Sequence, residues 1–198
     1  MISSVECFKG EIDLVNRLFD AGMSVFHLRK PGISLKLHSE LLQGICPQYH
    51  NRIVLHQFRE AVNAPEIRRF HYSEAERKGL SIMGDGLNNE IKGVSVEAVL
   101  STSIHALVTI EEISDFDYAF FGPVFDSVSK PGYAGMSGDD FKLPAHLQPK
   151  LVAIGGITKD NIEAVFDMGF DKTAVLGVLW NKPDQALDVF KQLQKKCE

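Results

Sequence analysis

Tyr118-Ala-Phe-Phe-Gly-Pro-Val-Phe-Asp-Ser-Val-Ser-Lys130 is the stretch on which the fold turns. Its first half is short, aromatic and apolar, as expected of a strand buried on both faces. Gly122-Pro123 ends that run, because proline cannot donate to a sheet ladder and glycine permits unusual backbone angles. Two hydroxyls (Ser127, Ser129) and a cation (Lys130) follow, then a loop carrying Gly132, Gly135 and Gly138. A buried strand opening into such a loop places phosphate-binding groups at its C-terminal end. A polar surface loop would read the same way, so the neighbouring stretches must decide.

Leu151-Val152-Ala153-Ile154 repeats the arrangement, ending in Gly155-Gly156-Ile157-Thr158 before a helical pattern from Asp160 to Met168. Paired glycines admit a ligand close to the backbone, and a following helix turns its N–H groups toward an anion. A third copy closes the chain: Lys172–Val175 is strand-like, Leu176-Gly177 turns, and Pro183–Leu193 reads as a helix. Loops after the seventh and eighth strands form the usual phosphate site of a (β/α)8 barrel.

Upstream the same unit recurs. Ile2–Val5, Ser24–Leu28, Arg52–Leu55, Phe70–Tyr72 and Val99–Ile104 read as strands, with helical periodicity after Glu11 and from Leu35 to Ile45. A short helix is expected around Arg59–Val62, and the pattern is weakest from Pro65 to Val96. Strand, loop and helix repeated about eight times call for a parallel sheet with helices outside, and hence a single (β/α)8 TIM barrel over residues 1–198. His27 and His105 fall at strand C-terminal ends, where barrel enzymes place their chemistry, and histidine carries protons near neutral pH. His38, His50 and His146 are expected at the surface.

Composition sets limits. The 198 residues are 44% hydrophobic and 24% charged, ordinary for a soluble globular protein. A net charge of −5, without a Lys/Arg run, argues against a nucleic-acid surface. Neither a signal peptide nor a membrane-length apolar run is present, so a cytoplasmic location with no membrane partner is expected. The three cysteines, Cys7, Cys46 and Cys197, form neither a disulfide framework nor a zinc pattern.

Gly122-Pro123-Val124-Phe125 with Ser127, Ser129 and Lys130, followed by Ala153-Ile-Gly-Gly-Ile-Thr-Lys-Asp-Asn161, resembles the thiamine phosphate synthase/TenI family. His27-Leu28-Arg29, Ser103-Ile104-His105 and Asp117-Tyr118 resemble further signatures of that family. The likeness is strong from Leu100 to Leu179, weaker over Val25–Arg29 and poor over Arg52–Val96. It implies a (β/α)8 barrel, commonly a homodimer, that handles a phosphorylated thiazole in thiamine biosynthesis.

Two activities are implied. The synthase joins hydroxymethylpyrimidine diphosphate to thiazole phosphate and expels diphosphate with Mg²⁺; the TenI tautomerase moves protons on a thiazole carboxylate phosphate without a metal. Ser127, Ser129 and Lys130 stand where the synthase binds diphosphate. Yet His56-Gln57 occupy the usual Asn-Asp of the Mg²⁺ site, and the second carboxylate falls at Glu76, or at Ala75 if shifted by one, with Asp85 a further candidate. A Mg²⁺ ion wants carboxylate oxygens. The reading favoured by the sequence is therefore a tautomerase needing no cofactor, with His105 as proton acceptor and His27 as donor or orienting group. Arg29, Gly155, Gly156, Leu176 and Gly177 would bind substrate or phosphate. The alternatives are a Mg²⁺-dependent synthase and a non-catalytic thiazole phosphate binder.

Overall fold

Ile53-Val54-Leu55 is buried along its whole length, and this apolar run sets the character of the sheet. A computed structural model describes residues 1–59, 64, 66–82, 98–126, 141–144, 147 and 150–197, with only the backbone at 80–82. The chain forms two compact units, Met1–Thr102 and Ser103–Glu198.

In the first unit, β1 (Phe26–Leu28), β2 (Ile53–Leu55), β3 (Arg69–Tyr72) and β4 (Val99–Ile104, to Thr102 in this unit) pair in parallel and in chain order. Helix α1 (Glu11–Asp20) precedes β1, α2 (Leu35–Gly44) lies between β1 and β2, and α3 (Glu74–Ile82) between β3 and β4. Helix α1 buries Leu14, Val15, Leu18 and Phe19, the stripe expected of a 3.6-residue period. Ser34 caps α2 by accepting the Leu37 N–H at 3.3 Å.

Seven strands, not eight, are formed by the described residues. Ile2–Val5, expected as the first, is reduced to one parallel bridge from Ile2 to His27. The ladder stops at Ser3, whose hydroxyl donates to the Arg29 carbonyl and accepts the Arg29 N–H, both at 2.9 Å. That side chain takes over where a further strand residue would pair, and it fixes the backbone of Arg29.

His38, expected at the surface, is buried on α2, and its ring meets Phe58 edge-on at 5.2 Å. The buried stripe of α2 runs through His38, Leu41 and Leu42, whereas Leu35, expected on the apolar face, is 42% exposed. Neither ring nitrogen of His38 has a hydrogen-bond partner among the described residues, and burial pushes its pKa down. His50 is half-buried with Nε2 at 3.0 Å from the Ile45 carbonyl; His146 lies outside the described residues.

In the second unit, β5 (Tyr118–Phe121), β6 (Leu151–Ile154) and β7 (Thr173–Ala174) pair in parallel and again in chain order. Helices α4 (Ile162–Asp167), α5 (Gly177–Trp180) and α6 (Ala186–Cys197) complete it. Phe121, Phe141 and Phe170 form one aromatic cluster, with centroids 5.7 to 6.4 Å apart.

The least expected feature of the first unit is a buried ion pair. Lys30 Nζ reaches Glu11 Oε1 at 2.5 Å and the Glu6 carbonyl at 2.9 Å, and both charged side chains are almost fully enclosed. Burial raises the Glu11 pKa, and the lysine only partly counters it. Removing one partner strands the other charge out of water. Glu11→Ala is therefore expected to cost about 3–5 kcal/mol in urea unfolding, and the double replacement Glu11→Leu/Lys30→Met far less. Equal losses from both variants would contradict this account.

Candidate functional site

Among the described residues, each unit carries a group of chemically competent residues at its strand ends. In the second unit the loops after β5, β6 and β7 enclose a cavity of about 560 Å³, lined among others by His105, Gly155, Gly156, Leu176 and Gly177. The expected phosphate loops thus come together with the expected proton acceptor.

His105 follows β4, and its Nδ1 lies 2.6 Å from the Gly122 carbonyl. A carbonyl only accepts, so Nδ1 carries the hydrogen and Nε2 is the basic nitrogen of the neutral ring. The glycine pair has a structural duty as well. Gly156 adopts φ +63°, where a Cβ would come within 2.5 Å of the Asp126 carbonyl oxygen, and a Cβ on Gly155 would meet Pro123 at 2.6 Å. Val124 N–H bonds the Ile154 carbonyl at 2.9 Å and Phe125 N–H the Gly155 carbonyl at 3.2 Å, so the two loops are stitched backbone to backbone. Asn161 latches the turn, accepting the Thr158 N–H at 2.7 Å and donating to the Gly156 carbonyl at 2.9 Å.

Sequence reasoning missed Lys182, an exposed cation lining the cavity, and Asn161. The signal for Lys182 was faint: a lone lysine before a proline, beyond the glycine turn. Ser127, Ser129 and Lys130 lie outside the described residues, as does Asp85.

The first unit holds the second group. His27 on β1 and His71 on β3 are buried, and His56, just after β2, is half-buried. Nitrogens of the three rings lie within 4.8 Å of one another. His27 Nδ1 is 3.1 Å from His56 Nε2, and the rings of His56 and His71 stack at 4.2 Å. Desolvation is the main cause that lowers all three pKa values, that of His71 to about 3; repulsion from neighbouring imidazoles adds to it at His27 and His56, and the guanidinium of Arg59 at His56 and His71. His27 was expected to move protons from an open strand end; it is instead 2% exposed and held neutral. Arg29 is exposed at the end of β1 and also depresses His56 and His71. His71 was not foreseen, although the recurrence of histidine at three successive strand ends is visible in the letters.

A scan for known families matches residues 2–179 to the thiamine monophosphate synthase (TMP-TENI) model, and the chain belongs to that family. Among its relatives, the thiamine-phosphate synthase of Lysinibacillus sphaericus is 27% identical over 197 residues, covering 92% of this chain and 87% of that protein. The enzyme of the same name from Actinobacillus succinogenes is 26% identical over 90% of this chain and 83% of its own. Among solved structures, a thiamine phosphate pyrophosphorylase from Bacteroides thetaiotaomicron has the same parallel α/β, TIM-barrel-like fold, with a TM-score of 0.75, 22% identity, and coverage of 98% of this chain and 94% of that one.

The Mg²⁺ implied by the family does not fit the described residues. Gln57 Oε1 accepts the Lys30 N–H at 3.2 Å. Glu76 is bound by Arg59 at 2.9 Å and by the Ser73 N–H at 2.7 Å. Among the described residues the group able to hold an ion is three imidazoles, whereas Mg²⁺ takes oxygen ligands and keeps several waters.

Two outcomes follow. A Cβ at Gly156 would sit against backbone, so Gly156→Ala is expected to lower stability by at least about 1 kcal/mol, and cavity binding is better probed elsewhere. The buried histidines take up protons less readily folded than unfolded, so the unfolded chain is the better proton acceptor below the ordinary value of 6.5. Their contribution to stability is full above that pH and should be lost as pH drops below it, by about 1.4 kcal/mol per pH unit for each histidine kept neutral. Denaturant titrations between pH 7 and 5 should show a shallower slope in His71→Asn than in the wild type; equal slopes would remove His71 as a contributor.

Proposed function

We propose that the protein is a thiamine-phosphate synthase, forming thiamine phosphate from hydroxymethylpyrimidine diphosphate and thiazole phosphate. The observation that carries this reading is the cavity built by the three strand-end loops, in a chain whose relatives bear that name over most of their length. In the reaction the thiazole nitrogen attacks the pyrimidine methylene carbon, the bond from that carbon to the diphosphate oxygen breaks, and diphosphate leaves.

Within the cavity, backbone N–H groups at Gly155, Gly156 and Gly177 would receive the thiazole phosphate, as anions are received where glycines expose the backbone. Lys182 at the rim would add positive charge, and the basic Nε2 of His105 would accept a hydrogen bond from the bound substrate. The hydroxyls of Ser127 and Ser129 and the ammonium of Lys130 remain the residues assigned to the diphosphate by the resemblance.

The tautomerase reading keeps one observation in its favour: His105 lines the cavity with its tautomer fixed, as a proton acceptor requires. Its second group, His27, is enclosed among imidazoles and poorly suited to exchange protons with a ligand. The synthase is therefore the stronger proposal.

Purified protein supplied with both substrates and a panel of divalent cations should form thiamine phosphate. Lys182→Ala should raise KM for thiazole phosphate about tenfold, equivalent to 1.4 kcal/mol, with kcat little changed. Isomerisation of a thiazole carboxylate phosphate without thiamine phosphate formation would transfer the assignment to the tautomerase.

A further inference from the structure

The parallel register of the first unit aligns three histidines on one side of the sheet. His27 pairs with Val54 and Val54 with Arg69, and in a strand every second residue returns to the same face. His56 is two residues beyond Val54, and His71 two beyond Arg69. His71 in turn pairs with Ser101 on β4. His27, His56, His71 and Ser101 therefore project to one side, brought there by backbone hydrogen bonding and not by chance contact of surface side chains.

We propose that His27, His56 and His71 form a binding site for a divalent transition metal of the zinc class, with a fourth coordination position left to water or an oxyanion. The inference is independent of the function proposed above. Zinc binds imidazole nitrogen at about 2.0–2.1 Å, so tetrahedral ligands stand roughly 3.3 Å apart. His27 Nδ1 and His56 Nε2 are already 3.1 Å apart, and one nitrogen of each of the three rings lies within 4.8 Å of the others, a span the ion would draw in. The ion would replace the hydrogen shared by His27 and His56, the donor ring moving that hydrogen to its other nitrogen.

Ser101 supplies the outer support that metal-bound histidines have. Its hydroxyl donates to the Phe70 carbonyl at 3.3 Å, so its oxygen accepts from His71 Nδ1 at 3.0 Å. Nε2 is then the basic nitrogen of His71. Burial keeps the three rings neutral, the state in which imidazole ligates a metal. The charges facing the group are mixed. Arg29, Arg59 and Arg69 oppose a cation, Glu76 favours one, and the buried Met1 amine, its pKa lowered to about 5, adds little charge at neutral pH. Those guanidiniums favour an anion in the fourth position. Three nitrogen donors select zinc, cobalt or copper over Mg²⁺.

The untagged full chain, stripped with chelator, would be titrated with Zn²⁺, Co²⁺ and Mg²⁺, with bound metal measured after dialysis. On the order of one Zn²⁺ per chain is expected, together with the visible d–d absorption of a tetrahedral Co²⁺ centre and no competition from Mg²⁺. His56→Gln, at the half-exposed ligand, should lose that stoichiometry and the Co²⁺ spectrum with its thermal unfolding still cooperative. Ser101→Ala should retain the site with affinity lowered about 10–100-fold. Should His56→Gln fail to fold, the wild-type Co²⁺ spectrum and the Ser101→Ala affinity decide. Absence of stoichiometric zinc in the wild type, or full binding by His56→Gln, would overturn the site and leave a stacked imidazole cluster only.

Discussion

Parallel pairing obliges neighbouring strands to finish at the same end. Residues in the last rungs of the ladder, or just beyond it, are therefore delivered beside one another from neighbouring strands. In the first unit this constraint gathers histidines from three separate stretches of chain, because the pairs His27–Val54, Val54–Arg69 and His71–Ser101 leave no freedom to slip by one residue. A slip would turn every one of those side chains to the opposite face, and with it the wholly buried Ile53-Val54-Leu55. The packing of aliphatic residues thus fixes the position of polar ones.

The second unit meets the same constraint by a different means. There the strand-end loops are short of side chains where they cross, and Gly155 and Gly156 allow the backbone after β6 to lie directly against residues 123–126. The contact closes one wall of the cavity and also sets His105, whose ring is held by the carbonyl of Gly122 at the start of that same loop. The glycines consequently serve two purposes at once. They bring backbone to where an anion could be received, and they keep two loops in register. A substitution there disturbs both, so loss of binding in a Gly156 variant would not by itself identify a phosphate ligand.

The order of elements was legible in the letters, since apolar runs such as Leu151–Ile154 and glycine punctuation mark parallel strands and their exits. That Gly155, Gly156, Leu176, Gly177 and His105 stand at strand exits, where they line the cavity, was legible for the same reason, each following such a run. Less was visible where tertiary contact overrides local pattern. Ile2–Val5 resembles a strand, but Ser3 spends its hydroxyl on both polar groups of Arg29 and the ladder ends. His38 sits on the stripe shared with Leu41 and Leu42, which a reading that assigns histidine to the surface passes over. His71 went unremarked because a histidine inside a doubtful strand gains meaning only from the register that sets it against Ser101 and beside His56.

Charge separates the two ways in which such a sheet end could treat a phosphorylated substrate. Carboxylates that hold Mg²⁺ cancel much of its charge, and the ion then serves mainly to orient oxygens it shares with the substrate. Three neutral imidazoles cancel none, so a divalent ion bound to them would keep its full charge for the fourth ligand, acting on a bound water or oxyanion more strongly. Without an ion, the same imidazoles are desolvated neutral rings beside Arg29 and Arg59, and the positive charge near them resides on the guanidiniums. The chain as a whole carries −5, so this cationic end is local. An anion directed there would meet arginine in either case. Which metal joins it depends on the softness of the three nitrogen donors, of which His56 stands in the His56-Gln57 pair that replaces the Asn-Asp implied by the resemblance.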